Sequence, residues 1–437
     1  MTERRVAITG LGVVTASGLG IEELFGSLLA GRPSVKRIDL FDPSSFPCQV
    51  AAQLDGFSAR PYVPKSYRKA VKVMARDIEI AVAAAYLGVR DSGIVTTGLD
   101  GGTPDVDSSR LGCNIGAGLI CADLNELGAA VNTSVTDGKF DMGKWGREGM
   151  NNLTPLWLLK YLPNMLACHV TIIHAAKGPS NTITCGEVSG HLAAGEAART
   201  VARGAADVAI AGGAESKVNP MGLLRQTLLG RVNTGSNDSP GRACRPFDAG
   251  HGGTVIGEGG GLLILEDLQR AQGRNGRIYA ELAGFGAACD PEGVNYLKPN
   301  VGRLDGAVAA ALKDANIQPD QVDLVIPCGT GVPGEDAAEA EALRRALGPR
   351  ADTVPVAPLA GAFGNLFAGA GGVALAVAAM TLHKQTIPPA VNFETPAEGC
   401  ELTVCTEATP ARLRYALCTG FGVGGQSAAL VLKRYQE

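Results

Sequence analysis

The sequence predicts an α/β fold of two similar halves, on three grounds. Short β-branched runs alternate with alanine-rich stretches of helical length, the pattern of parallel βαβ units. The alternation passes through the chain twice, around a polar, glycine-containing joint at 269–277, which places the halves at 1–268 and 269–437. The 437 residues exceed one ordinary domain, and 59 of them are glycine, which suits tight turns and close contacts between layers.

Residues 6–9 read as a buried strand that ends in a glycine turn, GLG. Residues 21–30 read as a helix with Ile21, Leu24, Phe25, Leu28 and Leu29 on one face. The Gly-, Thr-, Asp- and Ser-rich stretch 96–109 reads as a surface loop. Further strands are expected at 208–211, before GGAES, and at 262–265, after GEGGG. Two more follow, at 324–326, ending at PCGT, and at 429–432. The glycines of 10–20 lack the G-x-G-x-x-G spacing and no Walker lysine follows, so turns and packing are expected there, not a nucleotide.

Composition excludes several classes. Lys plus Arg is 39 and Asp plus Glu is 43, a net charge of −4, so the chain is no bulk-charge nucleic-acid binder. With 46% hydrophobic and 19% charged residues it is not mainly disordered. Eleven cysteines show no C-x-x-C pair, and His169, His174, His191, His251 and His383 do not cluster with them. No metal site, cofactor or disulfide framework is expected. The N-terminal MTERRVAITGLGVV has no long apolar run or cleavage site, and the apolar stretch 373–380 is too short to span a bilayer. A cytoplasmic protein without a membrane span is expected.

Seven separated blocks then carry a resemblance. They are VAITGLGVVTASG with LLAGRPSV, NMLACHVTIIHAAKGPS (164–180), GAADVAIAGGAES (204–216), RPFDAGHGGTVIGEGGGLLILE (245–266), CGTGVPGEDAAEAEAL (328–343), TIPPAVNFETPAEGC (386–400) and FGVGGQSAALVLK (421–433). In this order they resemble the β-ketoacyl-acyl-carrier-protein synthases, specifically the elongating ketosynthases. The resemblance implies a thiolase-like, five-layered α/β/α/β/α fold of two similar halves. It also implies a dimer formed through the nucleophile strand. That chemistry uses a cysteine at a helix N-terminus to hold the acyl chain, with two histidines and a lysine for decarboxylation and the enolate.

This chain departs from the pattern at all four positions. In GPSNTITCGEVSG (178–190) the nucleophile position is Glu187; Cys185 lies two residues earlier, ~6.5 Å away along a strand, and takes the place only if the register shifts locally. The first histidine corresponds to Cys328, the lysine to Ala360 and the second histidine to Asn365, and Val423 replaces a gating phenylalanine. Backbone oxyanion donors are expected at Glu187 and Val423. A helix start favours the Glu187 anion while burial opposes it, and the net sign is open.

Two functions follow. The first is a catalytically silent subunit resembling a chain-length factor, paired with an active ketosynthase paralogue of fatty acid or polyketide biosynthesis, or else a homodimer. The second is a repurposed acyl-transfer or acid/base enzyme using Glu187, Cys328 and Asn365. Lys65, Arg68 and Lys69, extended by Lys72, sit where the family docks acyl carrier protein, and a plain solvated face reads equally well. Asp248 is expected to cap or pair locally, and Glu339 to find solvent or a new partner in place of the missing lysine. Trp145 and Trp157 are expected to pack, and Cys113, Cys121 and Cys168 to act as small buried hydrophobes.

Overall fold

The computed structural model describes residues 4–99, 103–290 and 303–436. Its main strands are β1 (Val6–Thr15), β2 (Leu111–Ala117), β3 (Ser180–Ile183), β4 (Val208–Ser216), β5 (Glu258–Asp267), β6 (Ala280–Cys289), β7 (Leu324–Ile326), β8 (Tyr415–Phe421) and β9 (Gln426–Arg434). They form one sheet in the order β7-β8-β9-β6-β1-β5-β4-β2-β3, with the short strand Gly18–Leu19 beside β1. The sheet is mixed, not built of parallel units alone. β7 with β8, β4 with β2 and β2 with β3 are parallel, and the remaining pairs are antiparallel. Residues 422–425 are all that join β8 to β9, too short for the crossover that parallel neighbours need.

The principal helices are α1 (Ile21–Leu29), α2 (Arg76–Ser92), α3 (Met165–His174), α4 (Ser189–Ala202), α5 (Leu304–Asp314), α6 (Pro333–Leu347) and α7 (Ala370–Lys384). Ile21, Leu24, Phe25 and Leu28 bury the expected face of α1. α2 packs on β1, β5 and β4, and α3 on α2 and β2. α4 and α7 touch each other at the centre; α4 packs on β4 and β2, and α7 on β5, β4, β8 and β9. α5 packs on β6 and β9, and α6 on α5. Two parts of this one sheet flank the central pair, since α7 packs on β5 and β4 and also on β8 and β9, which gives the thiolase-like order of helices, sheet, helices, sheet, helices. The apolar run at 373–380 belongs to a longer helical stretch, Phe367–Lys384, of which 83% is buried inside the molecule. It is the central core helix.

Where glycine was read as a turn, the strands run on. β1 continues through Gly10 and Gly12 to Thr15, and β4 continues through GGAES. A Cβ on Gly12 would lie 1.9 Å from the carbonyl oxygen of Ala84, so this glycine serves the close approach of α2 to β1. The joint at 269–277 opens with a short helix, Leu268–Gly273; we propose 1–268 and 269–437 as the two halves. The stretch 96–109 lacks strand structure and ends in a 3₁₀ turn, Ser108–Arg110; residues 100–102 lie outside those described.

Gly12→Ala is expected to destabilise the fold by at least about 1–3 kcal/mol, because the clash is with backbone. Gly26→Ala, on the exposed side of α1 with nothing within 4 Å of the new Cβ, is expected to be neutral or stabilising. Urea unfolding of the two variants beside the parent chain measures both.

Candidate functional site

The turn that carries Glu187 follows from local chemistry. β3 ends at Ile183, and the chain enters α4 through a 3₁₀ turn, Gly186–Val188. Gly186 has φ +62°, which favours glycine. The Ser189 hydroxyl donates to the Gly186 carbonyl (2.6 Å) and accepts from the Cys185 N–H (2.8 Å), so it locks the turn. Glu187 is thereby held, buried, just before α4 begins. Cys185 sits at the outer edge of the turn, half-buried, and burial raises its thiol pKa.

Glu187 is not alone. Its Oε1 accepts from Arg231 Nη1 at 2.6 Å. The same guanidinium grips Glu335 through Nε and Nη2, both at 2.8 Å, and Nη1 also donates to Gln226 Oε1 at 3.0 Å. All four side chains are buried. Burial works against the Arg231 charge, but Glu187 and Glu335 outweigh it and raise its pKa. Glu335 lies in the first turn of α6 and Glu187 before the first turn of α4, where helix dipoles favour carboxylates. Sequence reasoning missed Arg231, Glu335 and Gln226. The only available signal was general: an acidic residue in an apolar interior requires a cation.

Glu187 lines a cavity of about 400 Å³ that also takes in Leu119, Lys217, Gln226, Phe367 and Val423. Loop 422–425 runs against the Glu187 turn, since a side chain on Gly422 would meet the Cys185 carbonyl oxygen at 3.0 Å and the Glu187 nitrogen at 3.9 Å. A second buried charge group borders this cavity. Lys217 pairs with Glu215, and Asp77 lies beside them with its Oδ1 accepting from the Ser216 N–H at 3.1 Å. Burial first, then Glu215, push the Asp77 carboxyl up to about 7.

Cys328, Ala360 and Asn365 come together elsewhere, around a separate and much smaller cavity of about 30 Å³. Burial first, then Glu339 and Glu187, push the Cys328 thiol well above its ordinary value. Asn365 Oδ1 accepts from the Phe367 N–H (2.8 Å), while its Nδ2 has no partner among the described residues. His191 lines the same small cavity, fully enclosed, with both ring nitrogens unpartnered, and burial lowers its pKa to about 4. Glu339 does find a new partner set and no solvent. It is buried and accepts from the N–H groups of Cys328 and Gly329 and from the Thr419 hydroxyl, each at 2.9 Å. Burial nonetheless pushes its carboxyl up to about 7.

Lys65, Lys69 and Lys72 are exposed and Arg68 half-buried on consecutive 3₁₀ turns, and none forms an ion pair among the described residues. Tyr67 anchors the patch to α3 through a 2.9 Å contact of its hydroxyl with His169 Nδ1. Asp248 pairs locally, with Arg245 and the N–H groups of Gly250, Glu394 and Thr395. Trp145 packs on Phe140, and Trp157 on Tyr161. Cys113 is a buried apolar group as expected, and Cys168 is only half-buried. Cys121 differs: it is half-buried, with Arg225 Nη1 3.2 Å from its sulfur.

Residues 3–271 match the beta-ketoacyl synthase N-terminal domain and residues 279–394 its C-terminal domain. A 3-oxoacyl-[acyl-carrier-protein] synthase 2 of Vibrio harveyi is 32% identical over 441 residues, covering 100% of both chains. A putative polyketide beta-ketoacyl synthase 1 of Streptomyces halstedii is 31% identical over 98% of each chain. The solved ishigamide ketosynthase/chain length factor shares the fold, with TM-score 0.84 at 23% identity over 99% of this chain and 100% of that one.

Arg231→Met strands two buried carboxylates and is expected to cost about 3–5 kcal/mol in urea unfolding, with Glu187→Gln costing clearly less. The raised carboxyl of Asp77 gives a pH signature. Its pKa moves from 3.8 in the unfolded chain to about 7 when folded, so the folded state holds a proton that the unfolded state releases. Its share of stability is present below the unfolded value and is lost as pH rises towards about 7. Asp77→Asn is therefore expected to stabilise relative to the parent chain at pH 8 and not below pH 4, as read by melting temperature across pH.

Proposed function

The chain belongs to the β-ketoacyl synthase family, and from that membership we propose a non-condensing subunit, similar in role to a chain-length factor, that pairs with an active ketosynthase of fatty acid or polyketide assembly. The observation that carries this is the Glu187 carboxylate, bound to Arg231 at the position where the family places its acyl-accepting thiol. Attack by that carboxylate on a thioester would form a mixed anhydride and expel a thiolate. The product is more reactive than the thioester and stores no acyl chain. Cys328, Ala360 and Asn365 supply neither imidazole nor ammonium for the enolate. The amides of Glu187 and Val423 are oxyanion donors left without a nucleophile.

A repurposed enzyme would need Glu187, Cys328 and Asn365 in one accessible site. The Glu187 carboxylate borders the larger cavity, while Cys328 and Asn365 border a separate, much smaller one. This arrangement favours the silent subunit. So does the surface around the nucleophile strand. β3 is the last strand of the sheet, with Ser180 and Asn181 exposed. An open edge is a template for pairing with a second chain. Leu119, Met142, Leu156, Leu158 and Ile172, between β2 and β3 in sequence, are exposed large hydrophobics. The unpaired cations Lys65, Arg68 and Lys69 suit an acidic partner, which acyl carrier protein would be.

Co-purification with a ketosynthase paralogue that keeps cysteine and both histidines is expected to give a heterodimer. Mass spectrometry after loading with acyl-carrier thioester should place the acyl adduct on the paralogue and none on Cys185 or Cys328 of this chain. A stable homodimer indifferent to that paralogue, or an adduct on this chain, refutes the assignment. Lys65→Glu with Lys69→Glu should weaken carrier-protein binding several-fold at low salt, and less as salt rises.

A further inference from the structure

We propose that a further cavity, distinct from the one beside Glu187, binds an apolar ligand carrying one protonated primary amine, with the Asp77 carboxylate as acceptor of the ammonium. The cavity measures about 540 Å³, within the range of small-molecule sites. Glu187, Cys328, Ala360 and Asn365 do not line it, so the proposal goes beyond the subunit role and does not rest on it.

The start of α2, the segment after β2 and the end of β4 meet here. Leu54, Phe57, Met74, Val218 and Met221 give the space an apolar wall. Asp77 lines it too, although this residue is only 3% exposed. Its Oδ1 accepts from the Ser216 N–H at 3.1 Å, and its Oδ2 has no partner among the described residues. One buried, unspent carboxyl oxygen beside hydrocarbon is the complement of an amine on an apolar body.

The surrounding charges narrow the ligand class. Arg76 is spent on Glu258 and on the carbonyls of Leu54 and Phe57. Glu258 also takes the Leu54 N–H and the Ser216 hydroxyl. Lys160 donates to Glu126 at 2.6 Å. Lys217 donates to Glu215 and to the Leu119 carbonyl, and Arg225 Nη1 lies 3.2 Å from the Cys121 sulfur. Among the lining residues that leaves two acids, Asp77 and Asp123, whose recorded partners are backbone N–H groups. Asp123 is exposed and water already solvates it, so a cation is worth most beside Asp77.

Burial first, then the Glu215 charge, hold the Asp77 carboxyl up at about 7. An ammonium within contact favours the charged form and opposes both effects. A calcium or magnesium ion fits poorly, because each takes about six or more oxygen ligands and this wall is mostly hydrocarbon around Asp77. An anionic ligand would meet two unmatched acids. A neutral one would leave the Asp77 oxygen with a weaker partner than an ammonium.

Calorimetry of the full chain with hexylamine and with 1-hexanol at pH 8 tests the proposal. The amine is expected to bind at least about tenfold tighter, the worth of one hydrogen bond to a charged group. Asp77→Asn, which is expected to keep the fold at this pH, should bring the two affinities to within about twofold, while Asp123→Asn leaves the preference in place. The pH dependence is a second readout. Besides Asp77, the titratable and charged groups around it are Glu215, Lys217, Cys121 and the Arg76–Glu258 pair. Burial raises the Cys121 thiol and Glu215 outweighs burial to raise Lys217, which leaves Asp77 as the group whose proton competes with the amine. Hexylamine affinity is therefore expected to fall about tenfold from pH 8 to pH 6 in the parent chain and to stay level in Asp77→Asn. Alcohol bound as tightly as amine, an unchanged preference in Asp77→Asn, or no binding of hexylamine at millimolar concentration overturns the proposal.

Discussion

A guanidinium buried between two carboxylates is the interaction on which the centre of this molecule depends. Glu187 comes from the turn before α4, Arg231 from the segment after the helix Pro220–Leu228, and Glu335 from the first turn of α6. None of the three could stand in the interior alone, because an unpaired buried ion costs more than such a site can return. Together they tie the first half of the chain to the second at one point. The excess negative charge sits at two helix starts, where the helix dipole favours it. The fold therefore supplies the partial charge that the side chains lack.

This group and the small cavity both lie beside the central helices. α4 leaves the Glu187 turn and α7 follows the 365–369 segment, and the two helices pack against each other between the sheets. Glu187 on one hand, and Cys328, Ala360 and Asn365 on the other, which the resemblance aligns with the family's catalytic set, border two different cavities. The larger holds a charged wall. The smaller is closed around His191, Cys328 and Asn365. There burial raises the Cys328 thiol pKa, the Asn365 oxygen closes its own turn, and burial lowers the His191 pKa to about 4.

Much of the architecture was readable from pattern, and the failures have physical causes. α1 and the short strand β7 were found because apolar periodicity and β-branching are local properties. β1 and β4 were cut short because glycine in a sequence signals a turn, whereas here it signals a neighbouring layer at van der Waals distance, information that resides in α2 and not in β1 itself. Strand direction was misjudged for the same reason: hairpin and crossover are told apart by where the next strand lies. At the site, Glu187 was singled out by register alone. Arg231 was not, because its partners are 44 and 104 residues away and no spacing links them. Glu335 stood in a quoted block as one acidic residue among several. His191 matched no catalytic position, and only packing places it against Cys328 and Asn365.

The side chains that the resemblance aligns with the family's catalytic set, and the acidic residue beside them, are largely satisfied by their neighbours. Glu339, without a lysine to pair with, is satisfied by two backbone amides and the Thr419 hydroxyl. Glu187 is satisfied by Arg231, and Asn365 closes a turn with its own oxygen. Among the described residues only the His191 nitrogens and Asn365 Nδ2 remain unpaired in the small cavity. A reactive site keeps groups unsatisfied until substrate arrives, because unspent hydrogen bonds are what stabilise the transition state. Here nearly all of them are spent within the protein. Elsewhere, Gln226 Nε2, one proton of Lys217 and Glu187 Oε2 have no partner among the described residues, and β3 leaves an open edge. Such groups can recognise a ligand or another chain, which is what the proposed silent-subunit role asks of them.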